Sequence, residues 1–354
     1  MKKKILISTG GSGGHVIPAN ILYEHLKKET NVVICTDIRG NKYLKSNLCN
    51  PKIINTPKLN NIFLLPINIL IIFQLILKSY FLLRKEKIDK LVSTGGYMSL
   101  PLILAGKILG LKIYLLEPNL VLGRANRFFL NSCDKIFCYS EELKNFPERF
   151  RDKMVKINPL VRKEFYNQDF TNDNKDYFNL LIVGGSQGAS IFDDNLKDKI
   201  VNISKIFSLR IIHQTSKKNI LNLKKFYSDN NIPNEIFNFD ENFINIIKQS
   251  DISITRAGAS TLAELSVLNI PFIAVPLPSS KDDHQSENAN FYYNHDCCWV
   301  INQNNFEDKI EDILKDILQN KTDYLKKKDN LKKINYQNSW INVNQKILSV
   351  IDEN

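Results

Sequence analysis

Two short apolar runs that end in glycines constrain the fold of this chain more than any other feature. The first is "ILISTGGSGGH" near the start of the sequence, and the second is "NLLIVGGSQGAS" in the second half. A strand that runs into glycines and then into a helical segment is typical of the first unit of a doubly wound α/β sheet. Because this pattern occurs once in each half, the sequence predicts two such domains within its 354 residues.

Further apolar runs follow each glycine-rich segment and alternate with helical patterns. They read "NVVICTD", "DKLVSTGG", "LKIYLLE" and "DKIFCYS" in the first half, then "LRIIHQT", "EIFNFD", "DISITRAG", "PFIAVPLP" and "CCWVI". Short runs rich in β-branched residues are expected for strands buried on both faces of a parallel sheet. The predicted domains are 1–160 and 161–336, with a final helix at about 337–354 that packs back onto the first domain. The polar stretch "NQDFTNDNKDYF" is interpreted as a linker that precedes the second series of strands. Ligands of open α/β sheets bind at the carboxyl ends of the strands, so we expect a cleft between the two domains.

The positive charge of the chain belongs to its first half. Residues 1–160 hold 25 Lys and Arg against 11 Asp and Glu, whereas the remainder holds 23 against 26. A basic domain suits nucleic acid, an anionic membrane or a phosphorylated substrate. The sequence has no aromatic RNA-binding run, zinc-finger spacing or basic heptad region, so we expect no nucleic-acid partner.

The six cysteines and the first residues indicate a cytoplasmic protein. No two cysteines form a C-x-x-C pair, so neither a zinc ribbon nor a disulfide framework is expected. The apolar run after Lys2 to Lys4 is only three residues long before Ser8 and the glycines, which is too short for a signal peptide.

One segment, residues 61–83, approaches the length of a membrane-spanning helix. It reads "NIFLLPINILIIFQLILKSYFLL" and contains Pro66, Asn68, Gln74 and Lys78. These polar residues and its place within a regular strand–helix series argue against a span. A buried or surface-lying helix is one interpretation. The other is a helix whose apolar side enters the bilayer interface, with the basic residues Arg84, Lys85 and Lys87 near anionic headgroups.

The loop "GGSGGH" is a candidate phosphate site. A strand ends near Thr9 and a helix is predicted to begin at about Val16 to Ala19, so bare backbone would meet a helix N-terminus that attracts phosphate. A dinucleotide fingerprint is the alternative. It would start at Gly11 and Gly13, but its third glycine position is occupied by Val16, and Asp37 is the only support for it, as a ribose ligand.

Four further segments follow predicted strands and offer bare backbone or polar side chains. "VGGSQGAS" (184–190) opens the second domain, and "STGGYMSLP" follows the strand "DKLV". "TRAGASTLAE" predicts a helix starting near Thr261, with Glu264 about one turn inside, where its carboxylate could accept hydrogen bonds from ribose or simply favour the helix dipole. Gln285 in "KDDHQSENA" is suited to binding sugar hydroxyls, although most loop glutamines are only solvated.

Taken in order, these motifs resemble one enzyme family. "GGSGGH", "GGYMSLP", "LEPN…GRANR", "GGSQGA" and "TRAGASTLAE…DDHQSENA" are similar in order and spacing to the MurG family of peptidoglycan glycosyltransferases, over almost the whole chain. The resemblance implies a GT-B fold of two Rossmann-like domains. It further implies inverting transfer of N-acetylglucosamine from UDP-N-acetylglucosamine to the C4 hydroxyl of undecaprenyl-linked lipid I, giving lipid II. It also implies a peripheral place on the cytoplasmic face of the bacterial inner membrane, beside cell-wall synthesis proteins.

The resemblance also implies binding residues. For UDP-N-acetylglucosamine they are Ser12, Gly13, Gly14, Asn119, Arg162, Ser186, Asp240, Ala259, Ser260, Thr261, Leu262, Ala263, Glu264 and Gln285. For the acceptor diphosphate they are Gly11, Gly14, Gly95, Gly96 and Tyr97. The chain departs from the family pattern at Leu116, where His is frequent, at an Asn-Pro pair displaced by one residue before Arg162, and at Asp240, where Ile is frequent.

His15 is the predicted catalytic base and Glu117 is the second candidate. The acceptor hydroxyl is a poor nucleophile, and an imidazole at the start of the first helix is placed to remove its proton. Charge on the departing UDP is expected to meet helix amides and Arg162 rather than a metal, since no D-x-D motif follows a strand, and no cofactor is expected. The open alternatives are another GT-B enzyme (a glycolipid glycosyltransferase or a UDP-N-acetylglucosamine epimerase), a nicotinamide oxidoreductase, and a non-catalytic nucleotide-sugar-binding protein.

Overall fold

A computed structural model describes residues 3–44, 50–57, 65–166, 176–185, 190–238 and 243–353. Internal contacts divide the chain into two compact units. Unit 1 comprises Met1–Leu160 and Ser339–Asn354, and unit 2 comprises Val161–Asn338. The α/β prediction is confirmed, because each unit is built on one parallel sheet flanked by helices.

The sheet of unit 1 has seven parallel strands in the order β3-β2-β1-β4-β5-β6-β7. The strands are β1 Lys4–Ser8, β2 Asn31–Thr36, β3 Lys52–Ile53, β4 Lys90–Ser93, β5 Lys112–Glu117, β6 Lys135–Cys138 and β7 Met154–Lys156. The order reverses between β1 and β4: Ile5 of β1 pairs with Val32 of β2 on one side and with Lys90 of β4 on the other. The two short edge strands, β3 and β7, were not predicted.

Helices cover both faces of this sheet. They are α1 Gly13–Leu26, α2 Ile38–Asn41, α3 Leu65–Lys85, α4 Leu100–Ile108, α5 Arg124–Phe129 and, from the end of the chain, α13 Trp340–Glu353. Leu6 packs on one face with Leu83 of α3 and Leu102 of α4. Ile5 packs on the other face with Leu22 of α1 and Ile347 of α13, so the final helix completes the core of unit 1.

The sheet of unit 2 has six parallel strands in the order β10-β9-β8-β11-β12-β13. The strands are β8 Phe178–Val183, β9 Leu209–Gln214, β10 Asn234–Phe237, β11 Ile252–Thr255, β12 Phe272–Ala274 and β13 Cys298–Val300. The order reverses between β8 and β11, as it does between β1 and β4 in unit 1.

Unit 2 has seven α-helices among its described residues. They are α6 Ser190–Ser204, α7 Ile220–Asp229, α8 Phe243–Lys248, α9 Ala259–Val267, α10 His284–Asn294, α11 Phe306–Gln319 and α12 Lys321–Ile334. Leu181 packs on one face with Leu262 of α9 and Leu331 of α12. Ile182 packs on the other face with Phe192 of α6 and Phe306 of α11.

Two helices begin earlier than the sequence predicts. α1 begins at Gly13 rather than near Val16, because the N–H groups of His15 and Val16 both donate to the carbonyl of Ser12. α9 begins at Ala259 rather than Thr261. Glycine has a low helix propensity, so the sequence alone did not indicate that Gly13 and Gly14 form a helical turn.

Helix α3 is apolar on the face that packs and on the face that does not. Ile72 and Leu83 are buried, whereas Leu70, Phe73 and Phe81 are each at least 60% exposed. Ile67, Ile69 and Leu77 are exposed as well. Among the described residues, one helix, over Pro66–Lys85, is long and apolar enough to cross a membrane by length and composition alone. The predicted segment began at residue 61, and residues 61–64 lie outside the described part of the chain.

Candidate active site

A buried carboxylate, that of Asp37, accepts hydrogen bonds that fix the glycine turn after β1. Gly11 has a φ of +81°, a left-handed conformation that favours glycine. Oδ1 of Asp37 accepts hydrogen bonds from the N–H groups of Gly11 (2.8 Å) and Gly40 (2.7 Å), and Oδ2 pairs with Arg39 at 2.7 Å. Burial raises the pKa of Asp37, but these donors outweigh it and hold the pKa below its usual value.

This arrangement bears on the dinucleotide alternative. A ribose ligand must accept hydrogen bonds from sugar hydroxyls. Both oxygens of Asp37 already accept bonds from the protein, and the residue is 3% exposed. The only residue that supported a dinucleotide fingerprint is therefore occupied in organising the loop.

His15 lies in the first turn of α1, and its side chain contacts the loop that follows β4. Its Nδ1 lies 2.8 Å from the carbonyl oxygen of Thr94. A carbonyl oxygen only accepts, so Nδ1 carries the proton and Nε2 of the neutral ring is an acceptor. The side chain is half-buried. His15 therefore has the tautomer and the partial exposure that a general base needs.

The glycines after β4 make room for this imidazole. Gly95 has a φ of +90°, and a Cβ placed on it would lie 3.3 Å from Cε1 of His15. Gly96 also has a positive φ, and a Cβ placed on it would lie 3.7 Å from Cδ2 of the same ring. A side chain at position 95 would displace the ring, so the loop predicted to face the acceptor diphosphate also positions His15.

Glu117, at the end of β5, is fully engaged by its own loop. Oε1 accepts from the backbone N–H and the side chain of Asn119, at 3.2 and 3.1 Å. Oε2 accepts from the N–H of Gly123 at 2.8 Å and from Nδ2 of Asn126 at 2.9 Å. A carboxylate offers about four lone-pair sites. With four donors on a residue that is 3% exposed, Glu117 shapes the 117–126 loop, and the geometry favours His15 over it as base.

Two residues of this region were not predicted as functional. Arg39 binds Asp37 and also donates to the hydroxyl of Tyr97, and Asn126 links Glu117 to the carbonyl of Leu116. Leu116, one of the departures from the family pattern, is buried in β5. The spacing D-x-R directly after a predicted strand was the available signal for Arg39.

In unit 2, Arg162 and Glu264 form a pair at the start of α9. Nε of Arg162 donates to Oε1 of Glu264 at 3.0 Å, and the guanidinium lies 4.9 Å from the ring centre of Phe165. Glu264 is 6% exposed. Burial raises the pKa of its carboxyl group, and Arg162 opposes that rise. The displaced Asn-Pro before Arg162 thus leaves its side chain able to reach α9.

The α9 N-terminus presents backbone rather than large side chains. Its N-cap is Gly258 in an extended conformation, and Ala259, Ser260 and Thr261 follow, all half-buried. Leu262 and Ala263 belong to the unit 2 core, so a ligand could meet only their backbone. Such a turn offers N–H groups to an anion.

Gln285 lies in the first turn of α10. Its Oε1 accepts from the N–H of Leu277 at 3.0 Å, which leaves the Nε2 amino group as the donor that faces away from that bond. The preceding Asp282 and Asp283 both have positive φ. Non-glycine residues in this conformation often mark functional turns.

The remaining predicted positions are less informative. Ser12 occupies the N-cap position of α1 without a capping hydrogen bond from its side chain and is exposed, and Gly13 and Gly14 lie in the first helical turn. Ser186 and Asp240 lie outside the described residues. In the part of the chain that the structure describes, no group of three or more His, Cys, Asp or Glu could hold a metal ion.

Comparison with family models gives two adjacent matches. The model for the glycosyltransferase family 28 N-terminal domain matches residues 5–138, and the model for the glycosyltransferase family 28 C-terminal domain matches residues 179–339. These ranges contain the two glycine-rich strand exits and the α9 N-terminus.

Individual proteins extend the likeness over the full length. The chain is 50% identical, over all of both sequences, to a Pelagibacter ubique (strain HTCC1062) protein named UDP-N-acetylglucosamine--N-acetylmuramyl-(pentapeptide) pyrophosphoryl-undecaprenol N-acetylglucosamine transferase. A crystal structure of Acinetobacter baumannii MurG matches with a TM-score of 0.79 and 22% identity, covering 100% of each chain. A Neisseria meningitidis UDP-GlcNAc 2-epimerase matches with a TM-score of 0.69 and 15% identity, covering 99% of this chain and 100% of its own. At these identities the two structures show the fold alone.

Proposed function

The chain belongs to glycosyltransferase family 28, and we infer that it transfers N-acetylglucosamine from UDP-N-acetylglucosamine to N-acetylmuramyl-(pentapeptide) pyrophosphoryl-undecaprenol. The observation that carries this function is the 50% identity, over the full length of both chains, to a transferase of that name. The resemblance to the MurG family and the two-domain GT-B fold are thereby confirmed. The chain is a peptidoglycan-synthesis enzyme that uses UDP-N-acetylglucosamine as its donor.

We propose that unit 2 binds the donor at the α9 N-terminus. The N–H groups of Ala259 to Thr261 would meet the diphosphate, and Arg162 would add a positive charge. Because Glu264 uses Oε1 to hold Arg162, its Oε2 is the atom that would accept from the ribose. Gln285 would donate from Nε2 to a hydroxyl of the sugar.

We propose that His15 removes the proton from the acceptor hydroxyl, which is the C4 hydroxyl if the family chemistry applies. In this step the hydroxyl oxygen bonds to the anomeric carbon of N-acetylglucosamine while the bond from that carbon to UDP breaks. The proton passes to Nε2, and the Thr94 carbonyl stabilises the resulting imidazolium through Nδ1–H. A single displacement of this kind inverts the anomeric centre. Negative charge on UDP would be met by the α9 amides and Arg162.

The outward face of α3 supports a peripheral place on the membrane. We propose that Leu70, Phe73, Leu77 and Phe81 enter the bilayer interface while Lys78, Arg84 and Lys85 lie near anionic headgroups. Exposed apolar faces of this kind mark interaction sites. The opposite face packs on the unit 1 core, so the helix lies on unit 1 rather than apart from it. The proposed acceptor carries an undecaprenyl chain and therefore lies in the membrane, so an apolar face on α3 would bring the enzyme to its substrate.

A turnover assay tests the function directly. Purified protein is mixed with UDP-N-acetylglucosamine and a water-soluble analogue of the muramyl-pentapeptide diphospholipid, and UDP release is followed with and without the acceptor. We expect UDP release that depends on the acceptor. Conversion of UDP-N-acetylglucosamine to its 2-epimer without an acceptor would instead support the epimerase alternative, and neither reaction would support a binding protein.

A further inference from the structure

A cavity of about 260 Å³ opens at the carboxyl edge of the unit 1 sheet. Its lining residues follow β2, β3 and β4, and they are Asp37, Ile38, Arg39, Asn55, Thr56 and Tyr97. We call it the Arg39 pocket. Whole small-molecule sites measure roughly 300–1,000 Å³, so this pocket is suited to one group of a larger ligand.

The guanidinium of Arg39 is fixed before any ligand arrives. Its Nε and Nη2 donate to Oδ2 of Asp37 at 3.1 and 2.7 Å, and Nη2 also donates to the hydroxyl of Tyr97. The guanidinium carbon lies 5.4 Å from the centre of the Tyr97 ring. The side chain of Arg39 is 44% exposed, whereas that of Asp37 is 5% exposed. The guanidinium is thus held in place while half-exposed, and the two N–H groups of its Nη1 remain as donors for a ligand.

The same carboxylate joins this pocket to the first glycine loop. Oδ1 of Asp37 accepts from Gly11 while Oδ2 holds Arg39. The other walls are mixed in character: Ile38 is 60% exposed, and Oδ1 of Asn55 accepts from the N–H of Ile38. A ligand group in the pocket thus meets one cation, amide and hydroxyl groups, and some apolar surface.

We propose that the Arg39 pocket binds an oxyanion of the acceptor, either a carboxylate of its peptide or an oxygen of its diphosphate. A planar guanidinium matches both groups in geometry and charge. Tyr97 connects the pocket to the Gly95–Gly96 turn beside His15, so the bound oxyanion positions the acceptor relative to the base. This proposal rests on the proposed function, because it takes the muramyl-pentapeptide diphospholipid as the acceptor.

The experiment compares steady-state constants for Arg39→Gln, Arg39→Lys and Arg151→Gln. Arg151 is a matched control, since it is an arginine of unit 1 that is 42% exposed and paired with Glu148. We expect Arg39→Gln to raise the acceptor KM by about 10–100-fold, the range for losing a hydrogen bond to a charged group, with the KM for UDP-N-acetylglucosamine unchanged. Arg39→Lys keeps the charge and the Asp37 partner but loses the planar fork, so an intermediate rise is expected. Arg151→Gln should leave both constants unchanged.

A second acceptor separates the two sources of the oxyanion. This analogue keeps the diphosphate but has its peptide removed and the exposed carboxyl group amidated. If the pocket binds a peptide carboxylate, the penalty of Arg39→Gln disappears with this acceptor, and if it binds the diphosphate, the penalty persists.

Two results would overturn the pocket: an acceptor KM within about twofold of wild type in both Arg39 variants, or an equal rise in the KM for donor and acceptor. Thermal melting shows whether each variant is folded. If Arg39→Gln is unfolded, the acceptor KM of Arg39→Lys tests the proposal instead. An inactive wild-type enzyme would refute the function itself, whereas active Arg39 variants with unchanged constants would refute only the pocket.

Discussion

The point where strand order reverses carries different side chains in the two units, although six strands of each sheet share the order 3-2-1-4-5-6, counted from the first strand of the unit, and unit 1 adds a seventh at its edge. In unit 1 it holds a half-buried imidazole bonded to a backbone carbonyl. In unit 2 the corresponding edge holds the charged pair Arg162 and Glu264 beside a helix N-terminus. Ligands of open α/β sheets bind at this edge. In the proposed function, the side chains present there make the unit 1 edge a proton acceptor and the unit 2 edge an anion site.

Replacing the imidazole tests the comparison most severely. We expect His15→Ala and His15→Gln each to lower kcat by about 10²–10⁴-fold, because neither side chain can accept the hydroxyl proton. Glutamine can still donate to the Thr94 carbonyl, so a purely structural role would leave His15→Gln active. His295→Ala is the control, since Nδ1 of His295 also lies 2.8 Å from a backbone carbonyl, that of Phe291, but in unit 2. A loss of less than tenfold in both His15 variants would contradict the base assignment.

The buried His25 should make unit 1 the more acid-sensitive unit. His25 is stacked on Trp340 at 3.6 Å, and burial lowers its pKa from 6.5 to about 4, against a hydrogen bond with Asn344 that raises it. Between pH 6.5 and 4, His25 is therefore protonated in the unfolded chain but not in the folded one. The free energy of unfolding falls by roughly 3 kcal/mol as the pH drops through this range.

In unit 2 the buried His213 has a carboxylate partner, Asp193, at 3.1 Å. Burial raises the pKa of Asp193, but His213, Thr215 and Asn219 outweigh it and lower the pKa below 3.8, so its stabilisation is lost only under more acidic conditions. Hydrogen exchange resolved by peptide between pH 7 and 4.5 should show α1 and α13 losing protection before α6 and β9. Simultaneous loss, or the reverse order, would contradict this assignment.

Removing the unit 2 carboxylate should affect binding rather than proton transfer. We expect Glu264→Gln to raise the KM for UDP-N-acetylglucosamine by about 10–100-fold with kcat changed by less than threefold. The variant lacks a charged hydrogen-bond acceptor that would bind the ground state of UDP-N-acetylglucosamine and the transition state equally well. Glu235→Gln is the matched control, since Glu235 pairs with Arg210 at 2.8 Å on the same unit. A fall in kcat without a change in KM would assign Glu264 to the chemical step.

The smallest expected effect concerns membrane binding, which we propose for unit 1 alone. Phe73→Ser with Leu77→Ser should weaken sedimentation with vesicles of phosphatidylcholine and phosphatidylglycerol by about tenfold, given the apolar area withdrawn from the interface. Leu221→Ser, at a leucine of unit 2 that is 78% exposed, should change nothing. Equal binding of the unaltered protein to vesicles of phosphatidylcholine alone would remove the electrostatic part of the proposal.

The sequence predicted most of the strands because buried parallel strands are continuous apolar runs. The two edge strands escaped notice because β3 has two residues and β7 three, too few to form a pattern. The position of His15 could be predicted, but its bond to Thr94 could not, since those residues meet only when β1 and β4 become neighbours. The pairing of Asp37 with Arg39 and Gly11 was likewise missed, because it depends on how the chain turns after β2.

Helix α13 also sets an order of events during synthesis. It supplies Val343, Ile347, Val350 and Ile351 to a core whose other buried residues all precede position 161. Translation at about 5–20 residues per second would delay that contribution by roughly 10–35 s after the rest of unit 1 has left the ribosome. During that interval an apolar surface of the nascent chain stays uncovered, whereas unit 2, which is continuous in sequence, has all its parts at hand. The growing polypeptide therefore offers chaperones a binding surface on the half that emerges first.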